Sequence, residues 1–196
     1  VSATEQLIGQ TFKHFPIDQV LISPTVDIKT EWFLSITYDN NEQHPIVLFT
    51  TEGGVDVETI LDESPRKLMT QLVDIELGLR MFEARELCER AGVPNRLLNK
   101  AAFVITQAYQ AFVNNDARMV EINPIVVTSD DEVLLPTGVI VIDDRAEYRH
   151  PELLNLPGQV VNNGWRPLTD IEIKMKEINA AYPEAGDIRF NEFDGE

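Results

Sequence analysis

Two hydrophobic periods run along this chain. In EWFLSITYD, Trp32, Leu34, Ile36 and Tyr38 share one side of an extended segment, and Glu31 lies on the polar side with Ser35 and Thr37. The turn NNEQ and the apolar run HPIVLFTT follow, so Glu31 to Thr51 is expected to close as a β-hairpin. Further on, the period lengthens. In NRLLNKAAFVITQAYQAFVNND, Leu97/Leu98, Ala101/Ala102, Val104/Ile105, Ala108/Tyr109 and Phe112/Val113 fall on one helical stripe. The segment IELGLRMFEARELCERAG also reads as a helix, ending on Gly92 with Pro94 just beyond. ARMVEINPIVVTSDDEVLLPTGVIVIDD then predicts two apolar strands around an acidic turn.

The remaining segments are shorter. Ser2 to Phe12 predicts a short helix, DQVLISP a strand stopping at Pro24, and VDVETIL the start of a helical stretch. Tyr148 to Gly164 reads as loop, Thr169 to Ala181 as helix, and DIRFNEFDGE as the approach to another strand. Hairpin, helices, hairpin and tail make an α+β (α/β) fold with mostly antiparallel sheet and packed helices.

Composition narrows the partners. The 196 residues carry 33 acids against 16 bases, a net charge of −17, which argues against sequence-independent nucleic-acid binding and repels small anions unless local donors override the field. No apolar run approaches the ~20 residues that span a bilayer, so no membrane partner is expected. Cys88 is the single cysteine, which points to a reducing compartment, the cytoplasm or an organelle matrix, and its helical setting beside Leu87 reads as a small apolar residue. The first residue is Val1, as expected for part of a longer chain. His14, His44 and His150 form no cluster in the sequence.

The acidic hairpin raises a chemical question. Met119, Glu121 and Asn123 share one face of their strand, and a three-residue loop Ser129-Asp130-Asp131 would pair Thr128 with Glu132. That register sets Glu121 opposite Val139 and Asn123 opposite Thr137. A carboxylate and an amide oxygen roughly 7 Å apart along one strand face suit a hard cation such as Mg²⁺. Plainer readings stand beside this one: Glu121 as a strand acid paired with a basic neighbour, Asn123 as an amide satisfying backbone groups, Glu31 as a solvated acid. Gly53 and Gly54 can equally be a strand-to-helix turn that needs positive φ.

Three pieces, TEGGVDVE (Thr51 to Glu58), VEINPIVVT (Val120 to Thr128) and DDRAEYRHPEL (Asp143 to Leu153), come in order with the expected helices between them. Together they resemble the ATP-grasp region of the succinate–CoA ligase β subunit and related NDP-forming acyl-CoA ligases, over about residues 17 to 153. The resemblance implies the C-terminal part of an ATP-grasp fold in residues 1–148. Residues 149–196 would be a linker and approach to a CoA-ligase-type domain, with RFNEFDGE at the junction. The family's lid, with its glycine-rich phosphate loop, would precede Val1.

By the same resemblance Asn123 matches a Mg²⁺ ligand, Glu121 a catalytic carboxylate near phosphoryl transfer, Glu31 an acid that binds ATP or GTP, and Gly53 and Gly54 the turn beside it. His150 falls in a structural loop; the phosphohistidine of the family belongs to a CoA-binding α-type partner, and the substrate is a small carboxylic acid. Three positions depart from the pattern. Thr137 stands for the second metal-binding aspartate, Val139 for a lysine, and Ser23 for a nucleotide-contacting glutamate. Two functions follow as expectations: the nucleotide-binding portion of an acyl-CoA ligase, or a degenerate, non-catalytic interaction or regulatory subunit.

Overall fold

The computed structural model describes residues 2–12, 15–17, 19–54, 65–154 and 168–182, with 184, 186, 188 and 190 as isolated positions. They belong to two compact units, Thr25–Leu156 and a second formed by Val1–Pro24 with Pro157–Glu196. No helix among the described residues is long and apolar enough to cross a membrane.

The second unit begins with α1 (Ser2–Leu7) and a short ribbon of β1 (Thr11–Phe12) and β2 (Phe15–Pro16). The helix expected to reach Phe12 stops earlier because Gly9, at φ +83°, turns the chain and donates its N–H to the Ile17 carbonyl at 2.9 Å. The helix expected from Thr169 forms over Asp170–Ala181. Thr169 caps it: its hydroxyl accepts the Glu172 N–H while the Glu172 carboxylate accepts the Thr169 N–H at 2.9 Å. The strand expected in DQVLISP does not form in residues 19–24. Leu21 and Ile22 are 89% and 78% exposed, and among the described residues no strand pairs with this apolar run.

The larger unit is an antiparallel sheet covered on one face by helices. Its strands are β3 (Thr30–Asp39), β4 (His44–Thr50), β5 (Met69–Leu72), β6 (Ala117–Val127), β7 (Val133–Leu134) and β8 (Val139–Ile142). The order is β5-β4-β3-β6, with β7 and β8 both paired to the far side of β6. The expected hairpin of β3 and β4 turns at Asp39, whose carboxylate accepts the Asn41 and Glu42 N–H groups. β5 escapes the sequence reading, because the four residues MTQL at a sheet edge carry too short a pattern.

Helices α2 (Met81–Arg90) and α3 (Leu98–Asn114) cover one face. The predicted α3 stripe is buried at Leu97, Leu98, Ala101, Ala102, Ile105, Ala108, Tyr109 and Phe112, and ends at Val113, which is half exposed. It packs on Trp32, Leu34, Ile36, Val47, Phe49, Val120, Ile122 and Ile125, each large side chain contributing about 1.5–3 kcal/mol by leaving water. Cys88 is buried in this core, and burial pushes its thiol up to about 12. α2 starts later than its apolar pattern suggests. Asp74 accepts the Glu76 and Leu77 N–H groups and Gly78 sits at φ +66°, so a turn precedes the helix.

Residues 144–149 form a 3-10 turn and Pro151–Leu154 a short helix, α4, where the sequence suggested loop from Tyr148. The VDVETIL stretch, the rest of the loop through Gly164 and the EFDGE end lie outside the described residues.

Candidate functional site

The sheet's two faces divide the labour. Trp32, Leu34 and Ile36 meet the helices; Glu31, Phe33, Ser35 and Thr37 project from the other face, where Phe33 and Ser35 are buried. Phe33 packs there with Leu68 and Leu48, an apolar floor beside the polar residues. Glu121 lies directly between Ser35 of β3 and Val139 of β8, so the expected Glu121–Val139 register is the observed one. The Thr128 N–H donates to the Glu132 carbonyl at 2.9 Å, which closes the predicted three-residue turn.

The ladder opens at the next position. Between Trp32↔Ile125 and Leu34↔Ile122, β6 advances three residues while β3 advances two, so Asn123-Pro124 forms a bulge. Proline fits there because it has no N–H to give the ladder. The Asn123–Pro124 peptide is cis. Across from the bulge, residues 135–138 leave the strand, so Thr137 sits in the gap between β7 and β8 and makes no ladder pair with Asn123.

The turn after β4 crosses to this bulge. The Gly53 N–H donates to the Glu31 carbonyl at 2.8 Å, and the Gly54 N–H donates to the Asn123 side-chain oxygen at 3.0 Å. A Cβ on Gly53 would overlap the Trp32 backbone carbonyl. A Cβ on Gly54, whose φ is +74°, would lie 2.5 Å from a Glu31 carboxylate oxygen. Glu31, Gly53, Gly54 and Asn123 therefore come together as one constellation, while Glu121 stands one bulge further along β6. Both glycine amides are already used within the protein, so the turn offers shape to a ligand rather than phosphate-binding N–H groups.

Other contacts hold the turn. The Thr51 hydroxyl donates to the Ala91 carbonyl at 3.1 Å, the Thr50 hydroxyl accepts the Glu52 N–H at 3.2 Å, and Glu52 forms an ion pair with Lys67. Lys67 precedes Leu68 of the apolar floor and brings a cation near the turn; nothing in its local sequence signalled this, since the pairing depends on the fold. Among the described residues no three His, Cys, Asp or Glu side chains gather as a metal-holding group.

A family model for the ATP-grasp domain matches residues 2–127. The chain belongs to the ATP-grasp family. Among curated relatives it is 30% identical to the succinate–CoA ligase [ADP-forming] subunit β of Persephonella marina, over 90% of this chain and 46% of that one. It is 36% identical to the succinate–CoA ligase [GDP-forming] subunit β of Thermus thermophilus, over 78% of this chain and 40% of that one. The chain spans about half the length of the curated relatives it matches. A solved ATP citrate lyase from Methanothrix soehngenii, in complex with citrate and coenzyme A, superposes with a TM-score of 0.56 at 19% identity, over 81% of this chain and 35% of that one. The fold is thus the expected ATP-grasp fold of antiparallel sheet and packed helices, with Glu31 and Glu121 on the sheet face opposite α2 and α3.

Proposed function

We propose that this chain is the nucleotide-side portion of a β-type subunit of an NDP-forming acyl-CoA ligase, in which Glu31, Gly53 and Gly54 shape the place for ATP or GTP. The parent protein would transfer a phosphoryl group to a small carboxylic acid and then to CoA, with a CoA-binding α-type partner supplying the phosphohistidine. In this reading residues 1–148 are the ATP-grasp portion and 149–196 lead to a CoA-ligase-type domain. The observation that carries it is the convergence of Glu31, Gly53, Gly54 and Asn123 through the Gly54–Asn123 bond on the sheet face away from α2 and α3.

The donor set lacks the carboxylate that the resemblance expects at position 137. Mg²⁺ gains most from carboxylates and dehydrates reluctantly. Among the described residues the patch supplies the carboxylates of Glu31 and Glu121, and the neutral Asn123 oxygen accepts an N–H. Thr137 is neutral and lies in the strand gap, and Val139 faces Glu121 where a cation would help. The chemistry left to these residues is binding and orientation: Glu31 to accept hydroxyl hydrogen bonds and Glu121 to place charge. These features favour a second reading, a non-catalytic family member that regulates or scaffolds a complex.

Mg²⁺-dependent nucleotide binding by the full-length parent separates the two. Thr137→Asp with Val139→Lys is expected to strengthen it, and adding Glu121→Gln to remove the gain. A parent whose unmodified site already turns over nucleotide with acid and CoA as fast as typical ligases sinks the weakened-site reading. A double variant with no effect sinks the assignment of Thr137 and Val139 to this patch. Residues 1–196 alone are expected to bind Mg-ATP weakly at best and to show no turnover; low-micromolar titration would overturn that.

A further inference from the structure

We propose that Asn123 is a positioning residue: its side-chain oxygen fastens the glycine turn over the β6 bulge and through that turn sets where the Glu31 carboxylate lies. The inference rests on the face that carries Glu31 being the nucleotide side, but its first test does not.

The bond identifies the atom. A backbone N–H needs an acceptor, so the Asn123 atom facing Gly54 at 3.0 Å is the oxygen and not the amide nitrogen. The bulge explains why this side chain is available. With the ladder open between Ile122 and Ile125, Asn123 lies at the break in β3–β6 pairing, and the turn from β4 passes over that break. The turn's other described anchors reach β3, β4, the end of α2 and Lys67: Gly53 to Glu31, Glu52 to Thr50 and Lys67, Thr51 to Ala91. Asn123 adds the tie to β6, across 69 residues of sequence.

Gly54 then transmits the effect. Its N–H is held by Asn123, and the space where its Cβ would stand is filled by the Glu31 carboxylate. Asn123, Gly54 and Glu31 form a chain of contacts in which the first sets where the second sits, and the second forms the wall against which the third lies. Asn123 therefore acts on a ligand through Glu31.

Hydrogen exchange on the full-length parent, with neither nucleotide nor metal added, tests the tie. Asn123→Ala is expected to speed exchange at Gly54 on the order of tenfold, the loss of one hydrogen bond, while Asn123→Asp keeps an acceptor and keeps protection. Nucleotide titrations follow: Asn123→Ala should raise the nucleotide KM or dissociation constant and leave the half-saturating Mg²⁺ concentration unchanged, with Asn123→Asp rescuing the former. Unchanged Gly54 exchange in Asn123→Ala overturns the proposal, as does a shift in Mg²⁺ dependence with the turn still protected. Should the alanine variant not fold, Asn123→Ser, too short to reach Gly54, is read in the same way. If no variant or wild-type parent binds nucleotide, the functional reading fails while the exchange result still decides the tie.

Discussion

His150 Nε2 lies 2.7 Å from an oxygen of Asp116, whose other oxygen takes the Arg149 guanidinium at 3.0 Å. Asp116 stands at the corner between α3 and β6 with φ +49°, and its carbonyl accepts the Asp143 N–H at 2.9 Å. One residue thus fastens the 143–150 stretch to the helix–strand corner. Asp116→Ala removes two charge-assisted partners and strains a left-handed position, so a loss of about 1–3 kcal/mol is expected. The urea midpoint should fall and exchange across 143–150 should rise; an unmoved midpoint with unchanged exchange would show the corner is held by other contacts.

The glycine turn makes a graded prediction. Gly53→Ala meets the Trp32 backbone, which cannot step aside, and should cost more than Gly54→Ala, which meets the end of a flexible carboxylate. Gly54→Ala still pays for its positive φ, about 1–2 kcal/mol. In a Glu31→Ala background the Gly54→Ala cost should shrink to that backbone part alone. A double-mutant cycle by denaturant unfolding measures the difference.

Asp131 predicts the acid limb. Its carboxylate takes Arg96 at 2.5 Å and Lys29 at 3.4 Å, which hold it down to about 2 from an ordinary 3.8. A depressed acid contributes stability above its unfolded value, and the contribution drains as pH falls from near 4 toward about 2. Unfolding curves of wild type and Asp131→Asn should converge across that window and separate above it, less so in high salt because the pairs are exposed.

Cys88 offers a probe of the core. With its thiol pushed up to about 12, the native protein should be inert to a thiol reagent at mildly alkaline pH and react fully after unfolding. Rapid native reaction would mean that α2 opens locally.

Much of the fold was legible because its signals are periodic. The α3 stripe and the β3–β4 hairpin follow directly from where apolar residues recur, and the acidic turn's length set the Glu121–Val139 register. The misses have local causes. Leu21 and Ile22 look like strand but pair with no strand among the described residues, and Asp74 with Gly78 delays α2 through backbone hydrogen bonding that an apolar pattern does not carry. At the site, the sequence nominated Glu31, Gly53, Gly54, Glu121 and Asn123 without revealing that Gly54 joins Asn123 to Glu31. Nor did it reveal the Lys67–Glu52 pair. Both depend on a turn and a bulge meeting in space.

The central place of β3 sets an order of events. Its hairpin with β4 closes over a turn of a few residues, but its other edge waits for β6, which arrives after two helices. Closing that long loop costs entropy that is recovered when the sheet and helices pack together. A chain halted with only the first hairpin made therefore carries Glu31 and both glycines without the β6 bulge that joins them. The constellation comes into being only when the second half of the chain has been delivered.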